Sequence, residues 1–362
     1  LPILDLTASN PTQCGLAYDE AEILAALGDR AALIYDPEPR GMLRAREAVA
    51  EYYGARDAVV DPQQIFLTTS TSEAYSWVFR LLCDAGDEVL IAQPSYPLFD
   101  FLAQIGDVRL VPYPLVYDHG WQIDFAGLQE RVTVRTRAIA LVHPNNPTGH
   151  FTKAEERREL ERTCAEFGLG LIVDEVFLDY GFAGRESRSF AAGEHECLTF
   201  VLSGISKIAA LPQMKAAWVA ALGARRPLQT ALERLEIVAD TFLSMNAPVQ
   251  CALPTWLGGC GGIQEQIRAR TRANLRSLDQ TLLRFPAVTR LEVEAGWYAV
   301  LRVPVLGSDE DLAVRLVEEH GVSVHPGYFF GFGGDGWLVV SLLGPEEEFR
   351  RGIEGIGGLF GK

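Results

Sequence analysis

The chain predicts an α/β fold: a mixed, mostly parallel sheet sandwiched by helices in a large domain, with a smaller α+β domain at the C-terminus. Three observations carry that expectation. Short apolar runs alternate with helical stretches through the first two-thirds of the 362 residues. Those runs are apolar throughout, as strands covered on both faces must be. After residue 223 the pattern changes to long helices followed by late strands.

Taken in order, GMLRAREAVAEYY (41–53) has helical spacing, and FLTTS (66–70) reads as a short strand. TSEAYSWVFRLLCDAG (71–86) is an amphipathic helix closed by Gly86. EVLIAQP (88–94) predicts a strand, PLFDFLAQIG (97–106) a helix and VRLVPYP (108–114) a strand. RAIALVHP (137–144) and LGLIVDEVF (169–177) are strands separated by the charged helix KAEERRELERTCAEFG (153–168), and TFVLSG (199–204) completes the series. Long helices are expected over 225–243 and 263–285, then strands in VTRLEVE (288–294), GWYAVLRV (296–303) and GWLVVSLL (336–343). GGCGG (258–262) and GFGGDG (331–336) do not join a strand to a helix as a dinucleotide fingerprint must, so both are expected to be turns. The expected division is an N-terminal arm over 1–35, a large domain over 36–245 and a small domain over 246–362.

Composition excludes several classes. With 32 Lys and Arg against 48 Asp and Glu, the formal charge is −16, a poor match to nucleic acid or anionic membranes. No apolar run approaches membrane-spanning length, and LPILDLTASNPTQCG lacks a basic n-region, so neither a membrane span nor a signal peptide is expected. Six scattered cysteines without a CxxC pair predict reduced thiols and a cytoplasmic protein. Six histidines without HExxH or HxxxH spacing predict no metal site.

The candidate chemical residues fall just past strand ends, where ligands gather in parallel sheets. Lys207, in LSGISKIAALPQMKAAW (202–218), follows the apolar run TFVLSG. An amine at the end of a buried strand is poorly solvated; its pKa should fall, leaving a nucleophile able to condense with an aldehyde. Asp174 ends LIVD, where a carboxylate needs a partner: a cap, a salt bridge, or a buried protonated heterocycle. Asn146 in HPNNPTG (143–149) suits a turn or a hydrogen bond to a ring oxygen. Ser70, Thr71 and Ser72 cap a helix whose free N–H groups also make a phosphate site. Tyr96 in PSYP (94–97) is placed to stack on a planar ligand or to pack.

In this order on one sheet, HPNNPTG, DEV and SK resemble the fold-type I pyridoxal-phosphate enzymes of the class I/II aminotransferase family, and the resemblance runs from SNPT (9–12) to the final helix. It implies that the large domain binds pyridoxal 5′-phosphate and that Lys207 forms the internal aldimine and shuttles the proton. Asp174 would keep the pyridine nitrogen protonated, Asn146 would bond the phenolic oxygen, and Tyr96 would stack on the ring. Ser70, Thr71, Ser206 and Lys215 would hold the phosphate. Tyr35 in YDPEPRG resembles the tyrosine such enzymes lend to a neighbouring subunit, implying a homodimer with shared sites. The implied activity is ping-pong amino transfer between an amino acid, or a related amine, and a 2-oxo acid. A lyase using the same aldimine and a non-catalytic pyridoxal-phosphate-binding protein are the alternatives.

Three positions depart from the family pattern. Lys215 stands where arginine is usual, which loses the bidentate fork. Phe177 stands where many relatives have tyrosine, leaving Asn146 as the main donor to the phenolic oxygen. Val339 stands where amino-acid aminotransferases commonly carry a carboxylate-binding arginine, and no Arg or Lys lies between Gly321 and Glu348. Only His325 in that stretch can become cationic. Arg40 and Arg302 are the candidate replacements, and Asn10 is a candidate at the substrate entrance.

Overall fold

The computed structural model describes residues 3–182 and 188–361. Eight strands form the large sheet: β1 (Ile65–Thr68), β2 (Glu88–Gln93), β3 (Arg109–Tyr117), β4 (Trp121–Ile123), β5 (Thr136–Val142), β6 (Gly170–Asp174), β7 (Thr199–Gly204) and β8 (Ala217–Leu222). Their spatial order is β1-β8-β7-β6-β5-β2-β3-β4. β8 and β4 run antiparallel to their neighbours, and every other pairing is parallel. This is the mixed, mostly parallel sheet that the apolar runs predict.

Side chains alternate strictly across it. Leu90, Ile139, Leu171, Val173 and Val201 pack into one core, whereas Val89, Ala140, Ile172, Phe200 and Leu202 pack into the other. Asp174 therefore continues the row of Ile172. The chain order reverses between β2 and β5, which opens a crevice at their C-terminal ends. Tyr96 follows β2 and Asn146 follows β5, so topology alone brings those two loops together. The Asn145 amide spans the crevice to the Pro94 carbonyl at 3.4 Å.

The helices that matter to this edge are α1 (Leu43–Gly54), α2 (Thr71–Leu82), α3 (Leu98–Ile105), α4 (Ala154–Phe167) and the single turn α5 (Ile205–Ile208). Beyond the sheet come α6 (Arg225–Phe242), α7 (Ala247–Gly259) and α8 (Gly261–Leu282). A four-stranded antiparallel sheet then combines β9 (Thr289–Arg290), β10 (Tyr298–Arg302), β11 (His325–Pro326) and β12 (Trp337–Ser341), and α9 (Glu346–Phe360) closes the chain. Leu4–Asp5 pairs in parallel with Val322–Ser323, and Leu6 joins the core of this C-terminal unit.

One expectation needs correction, and two further elements escape the sequence pattern. The GGCGG segment is not a loop: α7 ends at Gly259 and α8 begins at Gly261, with Cys260 in the right-handed helical region. Burial of Trp256, Leu257, Cys260 and Ile267 in the large-sheet core overrides the poor helix propensity of glycine. Helix α7 itself escapes the periodicity, because its buried positions run almost continuously from Val249 to Leu253 and leave little amphipathic contrast. Strand β8 escapes because AWVAAL is rich in alanine, which strands disfavour.

The loop between β5 and α4 is tied to the C-terminal unit. The Phe151 N–H donates to Glu294 at 3.0 Å, the Glu294 N–H donates to the Gly149 carbonyl, and Lys153 pairs with Glu294. Gly149 adopts φ +70°, and a Cβ there would meet the Ala295 carbonyl at 2.4 Å. Gly149→Ala should therefore lower stability by at least about 2 kcal/mol, from left-handed strain plus a backbone clash. A chemical-denaturation midpoint equal to that of the parent would refute the tight approach.

Candidate active site

A cavity of about 200 Å³ opens at the C-terminal edge of the sheet. Lys207, Asp174, Asn146, Thr71, Ser206, Tyr96 and Phe177 all line it. Seven predicted positions, from five separate segments, thus meet in one space.

Asp174 is buried; the Val176 N–H donates to it at 3.0 Å, and the Tyr75 hydroxyl is a further hydrogen-bonding neighbour. Burial pushes its pKa up to about 7, against the pull of the Val176 amide, the Tyr75 hydroxyl and Lys207. The adjacent acid, Glu175, is also buried but fully served: Ser189 donates at 2.7 Å and the Phe190 N–H at 2.5 Å. Two neighbouring carboxylates thus point to opposite faces, one satisfied internally and one aimed into the cavity.

Lys207 sits in α5, half-buried, and lines the cavity. Its Nζ lies 4.7 Å from the ring centre of Trp297 and 5.5 Å from that of Phe177. Desolvation lowers its pKa to about 8, with Asp174 opposing. The Tyr180 hydroxyl donates to the Lys207 carbonyl at 2.5 Å and anchors the turn. Asn146 is buried, and its side-chain oxygen has no partner. Phe177 packs edge-on against Trp297 at 5.4 Å and offers no donor.

The other predicted residues lie elsewhere. Ser70 does not line the cavity; its hydroxyl accepts from the Glu73 N–H at 3.1 Å as the N-cap of α2, and Thr71 and Ser72 face the cavity instead. Lys215 is exposed, in a left-handed conformation at φ 56°. Tyr35 is 83% exposed. Asn10 is exposed and bonds Thr12. Arg40 is committed to Glu236, at 2.5 and 2.9 Å, and to the Gln63 carbonyl. Arg302 stacks 4.3 Å over Trp337 and donates to the Asp335 carbonyl at 2.7 Å. His325 packs edge-on against Phe330, and burial holds its pKa below the usual histidine range. Val339 is buried, paired across the sheet with Val300 and His325.

Three hydroxyl-bearing lining residues escaped sequence reasoning: Ser9, Tyr75 and Tyr298. Tyr75 had a signal, since it lies one helical turn beyond Thr71 on the same face of α2. Ser9 and Tyr298 come from distant segments that only the tertiary fold unites.

This architecture and lysine-carboxylate site define a class, and comparison with known proteins agrees. The family model "Aminotransferase class I and II" matches residues 15–356. The chain belongs to that family, and its chemistry is pyridoxal-phosphate-dependent amino transfer. A glutamate-pyruvate aminotransferase of Haemophilus influenzae is 25% identical, over 94% of this chain and 86% of its own length. An alanine aminotransferase of Mycobacterium bovis is 27% identical, over 98% and 85%. Among solved structures, an alanine aminotransferase from Pyrococcus furiosus superposes with TM-score 0.90 at 21% identity, covering 99% of this chain and 92% of that one. Relatives of this kind favour transfer over the lyase alternative. No described helix is long and apolar enough to cross a membrane.

Because the folded-state pKa of Asp174 is raised, the folded chain binds this proton more tightly than the unfolded chain does. The resulting stability is present at low pH and is lost as pH rises from about 4 to about 7. Cofactor-free Asp174→Asn should therefore lose less thermal stability than the parent between about pH 5 and pH 8. Superimposable profiles of melting temperature against pH would contradict the burial of this charge.

Proposed function

We propose that this transaminase binds pyridoxal 5′-phosphate in the 200 Å³ cavity and that Lys207, Asp174 and Asn146 are its catalytic residues. The observation that carries this reading is the meeting of a desolvated amine and a buried, under-bonded carboxylate in one enclosed space. The chemistry of the lining residues fits the cofactor: a carboxylate for a ring cation, a buried amide whose nitrogen can donate to a ring oxygen, and hydroxyls at a helix N-terminus for a phosphate. When bound, the cofactor supplies an aldehyde that condenses with amines and a ring that accepts the electron pair from the substrate Cα.

Lys207 Nζ would be the amine that holds the cofactor between turnovers. Freed by the incoming amine, it would take the Cα proton, and a pKa of about 8 leaves it a usable base near neutrality. Asp174 would hold a proton on the ring nitrogen, and a cation there would relieve the cost of its own burial. Asn146 would donate to the phenolic oxygen through its amide nitrogen, and Tyr96 would cover the ring face. Thr71 and Ser206, joined by Ser72, take the phosphate at the N-terminus of α2, while Ser70 supports them as the cap. Arg40 and Arg302 are spent on other partners and have no part in this assignment.

Tyr35 belongs to a second element of the proposal, a homodimer. Leu33, Ile34 and Tyr35 form an exposed apolar run at 83%, 66% and 83% accessibility, and Ile34 and Tyr35 share a surface cleft with exposed Leu243. Such a patch suits a second copy of the chain, which would carry Tyr35 towards its partner's phosphate. The substrates of the whole are an amino acid or related amine and a 2-oxo acid.

Borohydride reduction of the holoenzyme followed by peptide mass spectrometry should find the pyridoxyl group on Lys207. Lys207→Ala should lose that label and at least about a thousandfold in transfer rate. A label on another lysine would overturn the assignment. For the dimer, Ile34→Asp should convert the sedimenting species to monomer and weaken cofactor retention; an unchanged dimer would remove this face from the interface.

A further inference from the structure

Alternation along β6 puts Asp174 on the same side of the sheet as Ile172, facing the core that also holds Tyr75, Phe79 and Phe99. Tyr75 is 2% exposed and lines the cavity one helical turn beyond Thr71. Its ring is fixed edge-on against Phe99, with centres 4.9 Å apart, and tilted against Phe79 at 5.9 Å. Among the described residues its enclosed hydroxyl makes no well-aligned hydrogen bond, and Asp174 is the acceptor within its reach. Phenylalanine would fill the same space without burying a hydroxyl, so packing does not account for the oxygen.

The carboxylate beside it does. Where the cofactor ring meets Asp174, two bases compete for one proton: the ring nitrogen and the carboxylate. Burial raises the pKa of the carboxylate to about 7, which makes it able to keep the proton for itself. A ring without that proton is a weaker acceptor of the electron pair from the substrate Cα. Each donor to the carboxylate stabilises its charged form and so returns the proton to the ring. The Val176 N–H is one such donor, at 3.0 Å, and the Tyr75 hydroxyl is placed to be the second. The other ionisable groups that act on Asp174 or feel its charge include Lys207, Glu175, Tyr53 and Tyr96, and Tyr113 faces Tyr75.

We propose that Tyr75 is a positioning residue for the transfer reaction, its hydroxyl donating to Asp174 so that the shared proton stays on the cofactor's ring nitrogen. This role rests on the cofactor reading of the same cavity and extends it to a residue that acts through Asp174.

The test has two readouts. The first uses holoenzyme reconstituted with pyridoxal 5′-phosphate isotope-labelled at the ring nitrogen and observed by nitrogen NMR. The parent should show a protonated ring, and Asp174→Asn should move the resonance towards that of a neutral pyridine. Tyr75→Phe should move it in the same direction, with kcat down about tenfold and KM little changed, the scale of one hydrogen bond. The second readout is melting temperature against pH in the cofactor-free protein. Tyr75→Phe should raise the pKa of Asp174 further, so the loss of stability with rising pH should continue beyond about pH 7. In an Asp174→Asn background the same substitution should leave the shape of that profile unchanged. Tyr75→Leu removes the same hydroxyl and should shift both readouts the same way, which keeps the test available if Tyr75→Phe folds poorly. If the ring resonance or the pH profile keeps its parental form without the hydroxyl, Tyr75 serves packing alone and the cofactor reading stands without it. If labelled cofactor does not bind, or Asp174→Asn leaves its ring resonance unchanged, the cofactor reading fails and the role of Tyr75 fails with it.

Discussion

Two ionisable groups are taken out of water at the same edge of the same sheet, and the architecture around them serves to hold them there. Asp174 and Lys207 follow adjacent parallel strands, with Asp174 in register with Leu202 on β7. Neighbouring strands lie about 4.8 Å apart, so pairing alone brings the two segments close. The step from β7 into α5 needs a residue without a side chain: a Cβ on Gly204 would meet the Ala216 carbonyl at 2.9 Å and Ala217 at 2.8 Å. Antiparallel β8 thus packs directly beneath the lysine turn, and Tyr180 secures that turn from the other side. Desolvation moves both pKa values towards the working range, one down and one up.

The contrast between Asp174 and Glu175 separates structural burial from functional burial. Both acids are buried to a similar degree and raised to about 7. Their pKa values do not tell them apart; their partners do. Glu175 is closed off by Ser189 and the Phe190 amide, so its burial is a matter of packing. Asp174 leaves most of its acceptor capacity facing open space. A carboxylate left in that condition costs stability unless something cationic arrives, which is the physical content of calling it part of a site.

Much of this was legible in the sequence, and the boundary of what was legible has a physical cause. Lys207, Asp174, Asn146, Thr71, Ser206 and Tyr96 were readable because each follows a strand, and in a parallel sheet strand ends converge whatever the rest of the chain does. Ser70 and Ser72 show the limit of that logic. A run of three hydroxyl residues marks the helix start, but which one caps and which two face the ligand depends on side-chain direction within the first turn. Arg40 and Arg302 show a second limit, since a charged residue in a suggestive loop carries no sign of the distant acid, here Glu236, that claims it. Tyr298 was invisible for a third reason. Its strand reads as core, and only the packing of β10 against the loop holding Phe177 turns one of its residues into cavity wall.

The cavity therefore has two chemically unequal halves. The half against the large sheet holds the lysine, the carboxylate, the amide and the helix N-terminus, each matched to one part of a charged, planar cofactor. The other half is mostly aromatic and aliphatic, built from Leu98, Phe99 and Leu102 after β2, Val176 and Phe177 after β6, and Tyr298 on β10. The long-range field reinforces that inequality. A chain of formal charge −16 does not draw anions towards its clefts, and an anion that arrives must be held by a local cation. The arginines of α4 and α9 form ion pairs along their own helices, Arg157 with Glu161 and Arg350 with Glu347 and Glu354, and so do not offset that field at a distance.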